Sequence, residues 1–384
     1  MSRIDSIRLR GFAFALSVAV AVCALRSMDA QGPPPASIIP CGTPQGRPSG
    51  AADPSGMPGI LPALPPGPSG SPVTLAGGIR VRHVQGKVYM LSGAGANIAV
   101  QAGSEGVLLV DSGRADAATN VIAALRQLTR VPVRTIVNTT GDADHTGGND
   151  VVGRAGSHLT SALDGGGETP GAAIIAHQAV MDRLIKENAP ECAYPTTAYD
   201  FVPTRSLFYN GEGIELRHMA AAHSNGDSFV FFRRSDVVIT GEIFNPNLYP
   251  FIDLEHGGSI GGEIAALNEL LEITIPANKQ EGGTYVIPAR GHISDEADVS
   301  EYRDMVTIVR DRVRSLIGKK MTLEQVKAER PTLDYDGRYA GTEGAWTSDR
   351  FIEAVYKSLT QAAAAPAARP TVAAPTRPTG GQRR

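Results

Sequence analysis

The sequence predicts a layered α/β domain in which two sheets pack together and helices cover them. Three observations carry that expectation. Short apolar or alternating runs, separated by glycine-bearing turns, come in groups. Segments with apolar residues at helical spacing lie between and after those groups. The proline- and glycine-rich ends of the 384-residue chain are unlike its middle, so one large core is expected there.

The ends are read first. Arg3, Arg8 and Arg10 precede an apolar run over residues 12–25, which is shorter than the roughly 20 residues a spanning helix needs. Ser27-Met28-Asp29-Ala30 closes on a small residue suited to cleavage, so residues 1–30 read as a secretory signal peptide, with an uncleaved anchor as the alternative. The expected location is periplasmic or secreted, with no membrane span once the leader is removed. Residues 31–75 hold Pro33-Pro34-Pro35 and Pro65-Pro66-Gly67-Pro68 and read as a disordered linker. Residues 361–384, alanine- and proline-rich, bury too little apolar surface to offset the entropy of ordering them. The folded domain is expected over 76–360. A formal charge of −3 leaves no nucleic-acid footprint. An oxidising compartment permits a Cys41–Cys192 bridge, although nothing in the spacing requires one.

Within the domain, strands are expected at 79–84, 88–91, 97–101 and 107–110. A helix over 117–128 follows, because Val121, Leu125 and Leu128 recur on one face. Pro132 punctuates before a strand at 133–138. A strand at 173–176 runs into a helix through Leu184, and another strand covers 214–219. Strands at Ser228–Phe232 and 237–240 pair across Arg233-Arg234-Ser235-Asp236. Then come a helix over 263–273, a strand at Tyr285–Ile287, and a long helix whose core face is Tyr302, Met305, Val309, Val313 and Leu316. Shorter helices close the domain, Leu323–Ala328 with Thr322 as cap and 351–359 with Ser348 or Asp349 as cap.

Chemistry concentrates after the strand at 133–138, in Asn138-Thr139-Thr140-Gly141-Asp142-Ala143-Asp144-His145-Thr146-Gly147-Gly148-Asn149, with His223 and His292 far downstream. Carboxylates and imidazoles that converge can hold a divalent ion able to activate water at neutral pH. A loop at the end of a buried strand gives such groups a rigid support. A polar turn capping the helix after Gly148 explains Asp142, Asp144 and His145 one by one, but not the downstream histidines. Asp111, ending a buried strand, reads as a residue that orients its neighbours rather than a ligand. His83, His158 and His218 read as edge or surface residues, and His177 as a packing or capping residue. His256, Tyr249 and Phe251 lie on a loop able to line a cleft. This chemistry requires no serine or cysteine nucleophile.

These residues resemble the metallo-beta-lactamase superfamily, an αββα sandwich of two mixed sheets whose members carry His-x-His-x-Asp-His after a strand and further ligands on later loops. The landmarks are Val110-Asp111-Ser112-Gly113, Asp144 to Asn149, Ala222-His223-Ser224-Asn225-Gly226-Asp227, Thr240-Gly241-Glu242 and Pro288-Ala289-Arg290-Gly291-His292, within 79–359. The resemblance implies Asp142, Asp144, His145, His223, Glu242 and His292 as metal ligands. Asp144, His145 and His292 would make one complete site. In the other, Thr140 stands where the first histidine is expected and Asp142 replaces the second. The implied cofactor is one or two divalent ions, zinc first, with manganese or iron favoured by the extra carboxylate. Asp144 is the implied catalytic residue, orienting a metal-bound hydroxide against an ester, lactone, thioester or lactam-type bond of a small-molecule substrate. A non-catalytic metal- or ligand-binding protein on the same fold is the alternative that Thr140 keeps open. No oligomeric state follows.

Overall fold

The computed structural model describes residues 70–160, 166–200, 202–280, 282–341 and 346–364. The signal peptide expected over 1–30, most of the 31–75 linker and the tail beyond residue 364 lie outside them.

Strands β1 (Val73–Thr74), β2 (Arg80–Gln85), β3 (Val88–Ser92), β4 (Ile98–Gly103) and β5 (Gly106–Val110) pair antiparallel in succession. Helix α1 (Ala118–Leu128) then crosses over to return β6 (Val133–Val137) parallel to β5. Two short helices follow, α2 (Ala143–Thr146) and α3 (Asn149–Arg154), then a small ribbon of β7 (Ser157–Thr160) and β8 (Gly167–Pro170). Strand β9 (Ala173–His177) joins β6 in parallel, α4 (Gln178–Lys186) follows it, and β10 (Thr197–Tyr199) closes an eight-stranded sheet. The second sheet is β11 (Thr204–Tyr209), β12 (Glu212–His218), β13 (Ser228–Phe232), β14 (Val237–Ile239) and β15 (Tyr285–Ile287), in that order, with only the last pair parallel. Helix α5 (Ile260–Ile273) precedes β15, and α6 (Glu296–Gly318), α7 (Leu323–Ala328), α8 (Asp336–Tyr339) and α9 (Ser348–Ala364) follow it.

Side-chain alternation sets the layers. In β4 and β5, Ile98, Val100, Val107 and Leu109 pack with Val121 and Leu125 of α1, while Ala99, Leu108 and Val110 face Val230, Phe232 and Ile239 of the second sheet. The second sheet's other face, through Phe229 and Val238, buries Leu267 of α5, Tyr302 and Val309 of α6, and Phe351 of α9. Helices outside and two sheets inside make the expected αββα sandwich.

Boundaries moved where local chemistry outweighed propensity. Helix α5 starts at Ile260 rather than residue 263, because Ser259 Oγ accepts a hydrogen bond from Gly262 N–H at 2.9 Å and so offsets two glycines in the first turn. Val73 pairs with Val81, which places the domain's start ahead of residue 76. Helix α9 continues through the first alanines of the expected tail. Cys192 is disulfide-bonded, and Cys41 lies outside the described residues.

Candidate metal centre

The parallel pair β5 and β6 brings two strand ends to one edge of the first sheet, and the centre is built there. Asp111, immediately after β5, adopts a left-handed φ of +66°, an uncommon conformation that aspartate tolerates better than most side chains. Its Oδ1 accepts from Thr139 N–H at 2.8 Å. Its Oδ2 accepts from Thr139 Oγ1 at 2.7 Å and from His145 Nδ1–H at 2.8 Å. Ser112 and Asn149, which the sequence placed in motifs without a role, tie the same loop down. Ser112 Oγ donates to the His145 carbonyl at 3.0 Å and to Asn149 Oδ1 at 2.8 Å. Asp142 begins α2 without using its side chain as a cap, so the carboxylate is left for the site.

Five of the six expected ligands come together, in two groups. Asp144, His145 and Glu242 form one, and Asp142, His223 and Asp253 form the other, the donor atoms within each lying within 4.8 Å of one another. His145 Nε2 is 3.0 Å from Glu242 Oε1, and His223 Nε2 is 2.7 Å from Asp142 Oδ2. Both rings are held from behind, His145 by Asp111 and His223 by a 2.6 Å bond from Nδ1–H to the Phe251 carbonyl. Such support fixes ring orientation and leaves Nε2 for a ligand role. Thr140 only donates a long 3.3 Å hydrogen bond to Asp142.

His292 departs from expectation. The turn at Gly291, with φ +97°, sends Arg290 inward and His292 outward, where its side chain is 53 % exposed and 3.8 Å from Asp298. The three-residue site expected from Asp144, His145 and His292 is therefore not the one assembled, and Glu242 stands third. Asp253 was missed because its neighbourhood in sequence pointed to His256. Asp253 Oδ1 accepts from Glu255 and His256 N–H, and its Oδ2 accepts from His256 Nδ1–H at 2.6 Å. His256 thus holds Asp253 in place.

The remaining candidates sort cleanly. Tyr249 is buried and stacked on Phe351, so of the expected apolar wall only Phe251 serves, 41 % exposed and 5.2 Å from the His223 ring. His177 caps α4 and stacks on His218 at 3.6 Å, while His83 and His158 bond to carbonyls of nearby turns. Gly257-Gly258-Ser259-Ile260-Gly261 has the spacing of a serine-nucleophile turn, but Ser259 is committed to capping α5 and to the Ala221 carbonyl.

Two arginines, also unforeseen, balance the carboxylates. Arg183 on α4 lies 2.8 Å from Asp142 Oδ1 and 3.7 Å from Asp253, and Arg290 pairs with Asp144 and, at 3.4 Å, with Glu242. Burial by itself would push His145 down, but carboxylates on both ring nitrogens outweigh it and hold the ring well above its ordinary value. His223, buried too, is raised to about 10 by Asp142, with Asp227 adding to the effect. Burial would raise Asp142 and Glu242; instead His223 and Arg183 lower the first, and His145 and Arg290 lower the second. Each group still offers an imidazole and two carboxylates, the three-donor complement of a catalytic divalent site, with rings already aimed. The residues fit such an ion, and the oxygen-rich set suits manganese or iron as well as zinc.

A sandwich of this kind, a hydrolase-like fold, carries candidate metal-ligand groups of carboxylate and imidazole at its strand ends. Residues 92–277 match the family model of the metallo-beta-lactamase superfamily, whose members bind divalent metals. No curated protein matches the chain. Among solved structures, the stereoselective inverting sec-alkylsulfatase Pisa1 from Pseudomonas sp. is similar at TM-score 0.57 and 16 % identity, over 72 % of this chain and 49 % of that one. A double mutant of that sec-alkylsulfatase is similar at TM-score 0.56 and 18 % identity, with the same coverage. The chain spans about half the length of those alkylsulfatase structures. At such identities the likeness is one of fold.

Proposed function

We propose that the protein is an exported metal-dependent hydrolase of small molecules, with Asp144, His145 and Glu242 as one ligand group and Asp142, His223 and Asp253 as the other. The observation that carries this reading is the aim of the two histidines: each has Nδ1 anchored from behind and Nε2 turned toward carboxylates. One or two ions bound there would supply a Lewis acid and an activated water for cleaving an ester, lactone, thioester or lactam-type bond. Asp144, 20 % exposed in the first turn of α2, orients the attacking water and holds its proton. Phe251, with Trp346 packed edge-on at 4.5 Å, offers an apolar wall beside His223. Export rests on the arginines and apolar run of residues 1–30, and amino-terminal sequencing of secreted protein should begin after Ala30.

The non-catalytic alternative draws support from Thr140 and from the two guanidinium groups that already neutralise the carboxylates. One experiment separates the two. Metal content of protein purified without chelator is measured by elemental mass spectrometry. In parallel, hydrolysis is assayed after reconstitution with zinc, manganese or iron, for the wild type and for His145→Ala and His223→Ala. Bound metal with turnover that both substitutions reduce by about 100-fold or more supports the hydrolase. Full metal occupancy without turnover of any ester, lactone, thioester or lactam supports the binding protein.

A further inference from the structure

A cavity of about 520 Å³ opens between β2, β3 and the loop after β15, and its lining is basic. Arg80 and Arg82 reach it from β2, where their i, i+2 spacing puts them on one face of the strand, and Arg290 and His292 reach it from the loop. Among the described residues no carboxylate lines it, although the chain as a whole has a net charge of −3. Arg80 is exposed.

The cavity adjoins the metal centre. Arg290 pairs with Asp144 and Glu242 through Nη2 alone, and its side chain is 42 % exposed. Gly95, another lining residue, has φ +107°, and a Cβ there would lie 3.2 Å from Asp144 Cβ and 2.7 Å from Arg114 Cγ, so glycine keeps this passage open. Asn97 holds the loop in place, donating from Nδ2 to the Pro288 carbonyl at 3.0 Å and to the Gly291 carbonyl at 3.3 Å. Guanidinium groups in a concave site focus positive potential and offer paired N–H donors matched to oxyanions.

We propose that this cavity seats an anionic group of the substrate, a sulfate, phosphate or carboxylate, on Arg80, Arg82 and Arg290, so that the bond to be cleaved lies at the Asp144 and Glu242 side. This deepens the hydrolase reading, but anion binding itself is independent of turnover. Calorimetry on the full protein with inorganic sulfate, inorganic phosphate and acetate tests the cavity first and ranks the three chemistries. Arg80→Gln should weaken the preferred anion about tenfold or more, the worth of one charge-assisted hydrogen bond. Arg80→Lys should restore part of the loss, and Arg234→Gln, on the exposed turn between β13 and β14, should change nothing. KM is then compared for a neutral ester and for the same ester carrying each anion, and should be lower for an anionic one. No anion binding by the wild type, or binding indifferent to Arg80→Gln, overturns the proposal. Equal KM for neutral and anionic esters overturns the substrate assignment while leaving the hydrolase intact. Anion binding without turnover of any ester, lactone, thioester or lactam sinks the hydrolase and keeps the cavity.

Discussion

Asp111 is the residue on which the geometry of the first ligand group depends, because one buried carboxylate fixes both Thr139 and the His145 ring. Asp111→Asn isolates the charge, since asparagine tolerates the same left-handed backbone. The substitution should weaken metal affinity by roughly 10–100-fold with little change in fold, measured by competition with a chelator beside a circular dichroism spectrum. Unchanged affinity would remove Asp111 from the centre. At this scale the sequence was a good guide to residue type and a poor one to direction. Asp142, Asp144, His145, His223 and Glu242 stand in motifs that place them at strand ends, and the structure groups them. Three positions before Ser294 closes a bridge to Val286, however, the chain turns through Gly291, and spacing alone cannot say which of Arg290 and His292 faces inward. Arg183 was hidden for a related reason: on a helix face a buried countercharge and a solvated arginine look alike in sequence.

Among the elements, strands buried on both faces were legible, as was β15 at one edge of the second sheet, whereas β11 at its other edge was not. Strands β4 and β5 announce themselves as continuous apolar runs because each faces helices on one side and a sheet on the other. Strand β11 alternates between exposed and half-buried residues at a sheet edge, with Phe208 largely in solvent, so it lacked the apolar run that marks its neighbours. Helix α5 shows the same limit at a terminus, where a cap and close packing decide what propensity cannot. Ser259→Ala should cost about 1 kcal/mol by chemical denaturation, the usual worth of an N-cap. Gly262→Ala should cost more, because a Cβ at that position runs into the Ala221 backbone carbonyl, which has no flexible side chain to move aside. If the alanine at 262 proves the milder of the two, the docking of α5 on the second sheet is looser than its contacts imply.

For the whole molecule, the centre's charges make metal uptake a proton-linked event. His145 is held well above its ordinary value and His223 near 10, so both are protonated near neutrality and must lose a proton before their Nε2 atoms can bind a cation. Affinity should therefore rise with pH through the neutral range, and binding should release protons. Calorimetry in buffers of different ionisation enthalpy reads that release directly, and an enthalpy that does not vary with buffer would contradict it.

Stability should run the opposite way with pH because of Glu263, which no ligand role requires. It sits in the first turn of α5, fully buried, and neither carboxylate oxygen has a hydrogen-bond partner among the described residues. Burial, reinforced by Asp227 and opposed by His223, pushes its carboxyl well above the ordinary range. The folded state therefore binds this proton more tightly than the unfolded state, where the group titrates near about 4.3. Its contribution to stability is complete below that value and is lost as the pH rises toward the folded value. Glu263→Gln keeps the shape and removes the titration. Its Tm should match the wild type near pH 4 and exceed it by a widening margin toward pH 8, as measured by thermal denaturation in the presence of chelator. Parallel Tm profiles across that range would mean that Glu263 finds a partner for its charge, and that the interior behind the metal centre is more polar than the packing of α5 and α6 implies.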